Sequence, residues 1–322
     1  MGSCLASPTW NSRRSLKSCR GLPALHHPVS AELLKSAALH GRPKLMAIDE
    51  HIPEFGGRGV QGRCLLPGSA GAGDLRKGLL GSPRTLSVIG EDGRRLVTDP
   101  AVLPWRPICR LTLYHASTEY TGTGWLAGPR TVITAAHNIF NLQLKELVEG
   151  ILVTPCAHGE NNPYGRVYAT RFHFMEQWQL GAHREHDIGC IHLDKPFTAD
   201  PGWLGLASPP DDALHDAQVT IAGYPADLSG QAMYEHRDSI LQLDENFLYY
   251  ATDTEAGQSG SPVLHADDSG NWWGVGVHAF SKHDIADQQG LEANGAPRIT
   301  EAVIEQIRAW QRISEQVPMV LA

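Results

Sequence analysis

Three short segments carry the residue types that acyl transfer at neutral pH requires: TVITAAHNIF around His137, EHDIGCIHL around Asp187 and TEAGQSGSPVL around Ser259. A serine hydroxyl becomes nucleophilic when a base takes its proton. An imidazole serves best when a carboxylate fixes its tautomer and stabilises its charged form. The charge that then develops on the carbonyl oxygen must meet backbone N–H groups already pointing at it. Gly257-Gln258-Ser259-Gly260 suits that role, because a glycine-flanked tight turn exposes the Ser259 hydroxyl and aims the N–H groups of Gly257 and Ser259 at one point. Taken singly, each segment is weak. A serine in a glycine-rich turn is usually a turn former, 16 histidines offer many ordinary positions, and an Asp before a strand commonly caps it. The conjunction, in the order His, Asp, Ser, is what carries the chemistry.

Such residues must be held by rigid elements, and the texture of the chain beyond Ser87 supplies them. Short apolar runs rich in Val, Ile, Tyr and Trp recur between Gly, Pro, Asn and Asp turns: Leu86–Ile89, Ile108–Tyr114, Thr131–Ala135, Ile151–Thr154, Val167–Phe174, Ile188–Leu193, Val219–Ala222, Phe247–Thr252 and Trp272–Phe280. This pattern predicts an all-β sandwich or barrel. His137 falls just past one run and Asp187 opens another, so both are expected at strand ends facing a cleft. In TEAVIEQIRAWQRI, Val303, Ile304, Ile307, Trp310 and Ile313 follow helical spacing, which predicts one closing helix over 300–315. Two β-rich halves fit a duplicated barrel, although no internal repeat has a fixed period.

The 322 residues are 42% apolar and 19% charged, enough for a packed core and too apolar for wholesale disorder. No stretch approaches the roughly 20 continuous apolar residues of a spanning helix. Residues 1–86 balance at +7 and the remainder at −15, a basic arm ahead of an acidic body. The arm lacks dense Lys/Arg runs and interleaved aromatics, so docking on its own domain is favoured over nucleic-acid binding. It offers one short helical stretch, Ala31 to Leu39, and a linker-like GSAGAGDLRKGLLGSPRT. That linker contains no complete phosphate-binding glycine motif. Six scattered cysteines form no CxxC, and Cys109, Cys156 and Cys190 read as small buried hydrophobes. His183 and His186 are loop histidines rather than metal ligands, Trp272 and Trp273 cover core, and no metal or cofactor is expected. No apolar stretch of signal-peptide length is visible near the N-terminus.

The His–Asp–Ser order is that of chymotrypsin, not of the α/β-hydrolases, and the G-x-S-x-G elbow fails at Ser261. The chain resembles the bacterial glutamyl endopeptidases, serine proteases of the chymotrypsin fold. The resemblance rests on SVIGEDGRRLVT, TGTGWLAGPRTVITAAH, VTPCAHGENNPYG, HDIGCIHLDKP, DTEAGQSGSPV and GAPRIT, which together span residues 87 to about 300. It implies two six-stranded antiparallel β-barrels with the triad in the cleft between them. The first barrel (87–200) would carry His137 and Asp187, and the second (201–322) Ser259 and the closing helix.

The resemblance also implies cleavage after Glu, less readily after Asp, with His278 at the end of a pocket-lining strand and with Thr254 and Ser281 nearby. A cationic or hydrogen-bonding imidazole suits a carboxylate partner. The plain alternative for His278 is a satisfied strand-end histidine. Asp253, six residues before Ser259, occupies the place where trypsin-type enzymes carry the Asp that binds Arg or Lys, so that specificity stays open. A non-catalytic module on the same fold is the competing class, although no triad member is missing. Relatives are made as zymogens. The resemblance beginning at Ser87 implies a propeptide over 1–86, an activating protease, and Ser87 as the mature N-terminus, with Val88 the alternative after trimming. Partners are therefore protein or peptide substrates, with no nucleic acid, no membrane and a monomeric state; secretion follows from the resemblance alone. Asn138 and Gly122 stand where many relatives carry a disulfide, whose cross-link is worth a few kcal/mol (~2–4).

Overall fold

β-branched and aromatic side chains suit a half-buried pleated surface, and from position 95 onward their short runs form strands. The computed structural model describes residues 87–115, 118–285 and 290–316. The expected arm and its helical stretch Ala31 to Leu39 lie outside the described residues. In chain order, β1 (Arg95–Leu96), β2 (Ile108–His115), β3 (Thr118–Gly128) and β4 (Thr131–Thr134) are followed by the small hairpin of β5 (Phe140–Asn141) and β6 (Glu146–Leu147). Next come β7 (Gly150–Pro155), β8 (Val167–Ala169), β9 (Arg171–Phe174) and β10 (Gly189–His192). The second half contributes β11 (Gly205–Leu206), β12 (Gln218–Gly223), β13 (Tyr234–Leu243) and β14 (Phe247–Tyr250). It ends with β15 (Pro262–Ala266), β16 (Trp272–Val277) and β17 (Asn294–Pro297).

The first sheet has seven strands in the order β8-β7-β2-β3-β4-β10-β9, antiparallel throughout. Its two edges, β8 and β9, are consecutive in the chain with Thr170 alone between them. The sheet therefore curls until its edges approach, which is the closure of a barrel. The second sheet runs β11-β16-β15-β12-β13-β14-β17, with β1 also paired to β13. β11 against β16 is its parallel pair.

The sheets thus hold seven and eight strands instead of six each. The run Val167–Phe174 breaks in two because its halves pair with opposite edges of the sheet. Arg95–Leu96, expected with the first barrel, crosses to the second sheet. Leu111, Leu113, Ile151, Val153, Phe172 and Ile191 fill the first barrel. Val219, Ile221, Ile240, Leu248 and Val275 fill the second. A third cluster, including Trp125, Tyr224, Leu264, Val277 and Trp310, joins strands of both sheets to the C-terminal helix.

That helix spans Glu301–Gln316, close to the expected 300–315. Its stripe behaves as the spacing predicts: Ile304, Ile307 and Trp310 are buried, and Val303 and Ile313 pack on the same cluster. Each such burial contributes roughly 2 kcal/mol. Ser314 on its last turn meets a buried pair of histidines. His192 Nδ1 lies 2.7 Å from Ser314 Oγ, and His192 Nε2 lies 2.6 Å from His173 Nδ1. Among the described residues no helix is long and apolar enough to cross a membrane.

Candidate active site

β4 and β10 are neighbours, with Thr134 opposite Gly189. His137 lies shortly past the first strand and Asp187 shortly before the second, so antiparallel pairing alone brings them to one end of the sheet. The chain leaves β4 through a single 3-10 turn, Ala136–Asn138, and approaches β10 through another, Arg184–His186. Asp187 Oδ2 lies 2.6 Å from His137 Nδ1, and Oδ1 accepts the His137 backbone N–H at 2.8 Å. Asp187 is completely buried and His137 nearly so. A carboxylate at Nδ1 keeps the proton there and leaves the lone pair on Nε2. Nε2 is itself buried and accepts no hydrogen bond. The Trp178 ring, 6.4 Å from the imidazole, walls it in.

Ser259 belongs to the turn between β14 and β15, and this turn is fastened to the first sheet. Thr123 N–H donates to the Ser259 carbonyl at 3.0 Å, and the Asn138 amide donates to the same oxygen at 2.8 Å. The Thr123 hydroxyl donates to the Gly257 carbonyl at 2.7 Å. Because Asn138 follows His137, the base and the serine turn are referenced to one another through a single side chain. A Cβ on Gly122 would lie 3.0 Å from the Asn138 amide nitrogen, so that amide fills the space beside Gly122.

Two glycines shape the turn. Gly257 has φ +94° and Gly260 φ +91°, a region that L side chains avoid. Space forbids a side chain as well: a Cβ at Gly257 would lie 2.4 Å from the Tyr224 carbonyl, and one at Gly260 2.0 Å from that of Thr123. Gln258 is fully buried, and its side-chain oxygen accepts the Glu255 N–H at 3.0 Å.

Beside the serine, Ser87, Glu255, Ala256, Ser259, His278, Ala279 and Ser281 enclose a small cavity of about 10 Å³. His278 is carried past the end of β16. Its carbonyl accepts the Gly260 N–H at 2.7 Å and its own N–H donates to the Ser261 carbonyl at 2.8 Å. The Tyr250 hydroxyl meets His278 Nδ1 at 2.7 Å; burial pushes that phenol well above its usual range. Ser281 donates its hydroxyl to Asp284 at 2.6 Å. Thr254 is not on the cavity wall: it is fully buried, bridged to Ser87, with its hydroxyl hydrogen-bonded to nothing.

Asp253 does not face the pocket. Its carboxylate accepts the N–H of Ile89 at 2.7 Å and of Gly93 at 2.8 Å, and His236 stands 3.4 Å away. The residue sequence reasoning missed is Glu255, an acid on the cavity wall whose position beside the glycine turn was its one available signal. Burial raises its carboxyl above the ordinary range. A larger cavity, about 220 Å³, lies between the β3–β4 turn, Trp203 and the C-terminal helix, and it contains none of these groups. His183 and His186 sit in the loop before β10, and no cluster fit to hold a metal occurs among the described residues. Cys109, Cys156 and Cys190 are buried and unbridged.

Two barrel-like antiparallel sheets, with a histidine–aspartate pair on one and a glycine-flanked serine turn on the other, define a chymotrypsin-like protein. A family model described as the trypsin-like peptidase domain matches residues 122–275. The chain is 32% identical over 229 residues to the glutamyl endopeptidase of Bacillus licheniformis, covering 71% of this chain and 70% of that one. It is also 28% identical to a Bacillus subtilis protein named as an extracellular metalloprotease, over 70% of this chain and 69% of the relative. The solved structure of a Glu endopeptidase in complex with MPD superposes with a TM-score of 0.61 at 25% identity, covering 70% of this chain and 99% of that chain. A protease from Arthrobacter nicotinovorans shares the fold at a TM-score of 0.51 and 16% identity, over 63% of this chain and 93% of its own. The chain belongs to the trypsin-like serine proteases of the glutamyl endopeptidase type, a family that acts on proteins and peptides.

Proposed function

We propose that this chain is a serine endopeptidase cleaving after Glu, through His137, Asp187 and Ser259, and that residues 1–86 are a propeptide. The carrying observation is the buried His137–Asp187 pair at 2.6 Å with an unoccupied Nε2. Nε2 takes the proton of Ser259 Oγ as that oxygen attacks the scissile carbonyl carbon. The N–H groups of Gly257 and Ser259 receive the oxyanion. His137 then returns the proton to the departing amine, and a water repeats the cycle on the acyl-enzyme. Asp187 accepts from the His137 backbone N–H as well as from its ring, which keeps the imidazole oriented throughout.

Glu specificity draws support from His278 and Ser281 on the cavity wall, and from the withdrawal of Asp253 into the bonds of Ile89 and Gly93. One observation favours a second reading, Arg or Lys: Glu255 presents a carboxyl to the same cavity. Two fluorogenic peptides, with Glu or Arg before the cleaved bond, decide between them on a chain beginning at Ser87, with Ser259→Ala as the blank. A preference for Glu is expected; a preference for Arg overturns it.

A further inference from the structure

Cys109, Leu111 and Leu113 of β2 fill the first barrel, so Arg110 between them points to the outer face. The ladder sets its neighbours there. Arg110 stands opposite Thr123 on one side and Thr154 on the other. Arg166 immediately precedes β8 and extends the Val153–Val167 register by one step, which brings it beside Thr154. Two arginines thus flank a threonine on one face, separated at the backbone by two strand spacings, about 10 Å.

Arg110 is buried, with 7% of its surface exposed. One of its guanidinium nitrogens donates to Gln231 Oε1, whereas Nε is buried and hydrogen-bonded to nothing. Thr154 is completely buried, and its hydroxyl is hydrogen-bonded to nothing either. Among the described residues neither Arg110 nor Arg166 forms an ion pair. Burial pushes the Arg110 guanidinium below its ordinary range, and Arg166 adds a like charge in the same direction. Tyr224 and Tyr114 also act on it, but burial pushes both phenols up, so they are uncharged near neutral pH. A guanidinium stays protonated even so. A buried cation without a counter-charge is costly, and a water at Nε would bring no charge to offset it.

We infer that Arg110, Thr154 and Arg166 form a binding site for a small tetrahedral oxyanion, phosphate or sulfate. The site shares no residue with the cavity beside Ser259. Such an ion carries the charge that Arg110 lacks. It also offers acceptor oxygens to Nε, to the Thr154 hydroxyl and to the Arg166 guanidinium together. A carboxylate has two oxygens in one plane, whereas these donors arrive from three strands. Arg166 and Gln231 are exposed, so the ion enters from solvent at their rim. One residue links the site to the chemistry. Thr123, opposite Arg110, gives its N–H to the Ser259 carbonyl and its hydroxyl to the Gly257 carbonyl.

The test is thermal unfolding of the full chain carrying Ser259→Ala, which prevents self-digestion, in chloride, phosphate, sulfate or acetate at one ionic strength. Phosphate or sulfate at about 10 mM should raise Tm by about 3 °C or more, saturating with an apparent Kd of about 1 mM. Acetate should give less than half that rise; an equal rise overturns the tetrahedral assignment. Arg166→Glu places a carboxylate where the ion would sit. This variant should melt about 2 °C above its parent in chloride and no longer respond to phosphate. Arg110→Met fills a similar volume without charge, so it should match its parent in chloride and be equally unresponsive. A phosphate response that persists in full in both variants comes from anion exclusion over the whole surface and overturns the site. Absence of any rise in the parent chain overturns it as well. Circular dichroism shows whether Arg110→Met folds; where it does not, Arg166→Glu at its exposed position decides alone.

Discussion

His137 and Asp187 sit at the paired ends of β4 and β10, where strand register, two hydrogen bonds and complete burial hold them. Ser259, Glu255 and His278 sit on the turns of the second sheet, where position depends on glycines at φ beyond +90° and on bonds reaching in from Thr123, Asn138 and the Ser87 segment. The acid–base half is built by local sheet geometry. The nucleophile and pocket half is assembled from parts distant in sequence, and one of those parts is the Ser87 segment. The acid–base pair and the serine turn are thus held by two different sheets. Disturbing the first half should abolish turnover in every form of the chain; disturbing the second anywhere but at Ser259 should change specificity or rate by smaller factors.

The sharpest break is Asp187→Asn. The variant can keep one acceptor for the His137 backbone but places the wrong hydrogen-bonding group at Nδ1, so kcat should fall about 10⁴-fold with the fold intact. A loss below tenfold, measured on the processed chain with circular dichroism unchanged, would remove His137 as the oriented base. Next in size is His278→Ala. It deletes a buried group from the cavity wall and should lower kcat/KM for the Glu peptide about a hundredfold. A peptide with Ala at that position should change little; an equal loss on both peptides would assign His278 to the turn rather than to specificity.

These sites differ in how plainly the chain announces them. His137, Asp187 and Ser259 each end or interrupt an apolar run, so type and spacing sufficed to bring them together. The C-terminal helix was equally legible, because its stripe at 303, 304, 307, 310 and 313 has one period and one face. β3 was not, since Gly122, Gly124 and Gly128 depress its strand signal. Packing demands at least one of these, for a Cβ at Gly124 would lie 2.9 Å from Val132 and 3.0 Å from the Ile133 carbonyl. β13 escaped because Ile240 is its buried residue and the others are partly or fully exposed. The direction of Asp253 was beyond reach of local pattern: N–H groups from Ile89 and Gly93, about 160 residues away in the chain, bind its carboxylate, and Glu255 shares a cavity wall with Ser87 and Ser259 only in the folded chain.

Asn138 spans the comparison, since it follows the base and holds the carbonyl of the nucleophile. Asn138→Ala removes the 2.8 Å bond to Ser259 and the 3.0 Å bond to the Thr134 hydroxyl. Leaving a buried carbonyl with one donor fewer should cost about 1–2 kcal/mol of stability. The expected kinetic effect is about tenfold, in kcat rather than KM, because the side chain touches the turn and not the pocket. If stability falls and kcat does not, the two halves are aligned by Thr123 alone.

The mildest effect should come from the buried histidines that dock the C-terminal helix, on the side of the molecule that does no chemistry. The Ser314 hydroxyl donates to the Trp310 carbonyl at 3.2 Å and so accepts from His192 Nδ1; His192 Nε2 then accepts from His173. This chain is complete with His192 neutral, and a second proton on its ring would require His173 to give up the Nδ1 proton it donates. Burial first, then the charges of His173, Arg171 and Arg130, push His192 from its ordinary 6.5 down to about 3. The unfolded chain therefore takes up this proton at a pH where the folded one refuses it. Stability from this group is complete above about pH 6.5 and declines as pH falls toward 3, by up to about 1.4 kcal/mol per pH unit. Denaturant unfolding at pH 7 and pH 5 should show the decline, and His192→Gln should flatten it by about one proton's worth of slope. The loss should come from helix docking, with the His137–Asp187 spacing unaffected, so residual turnover of the folded fraction should keep its KM at both pH values. A slope identical in wild type and His192→Gln would place the acid sensitivity elsewhere and dissociate the helix from the histidine pair.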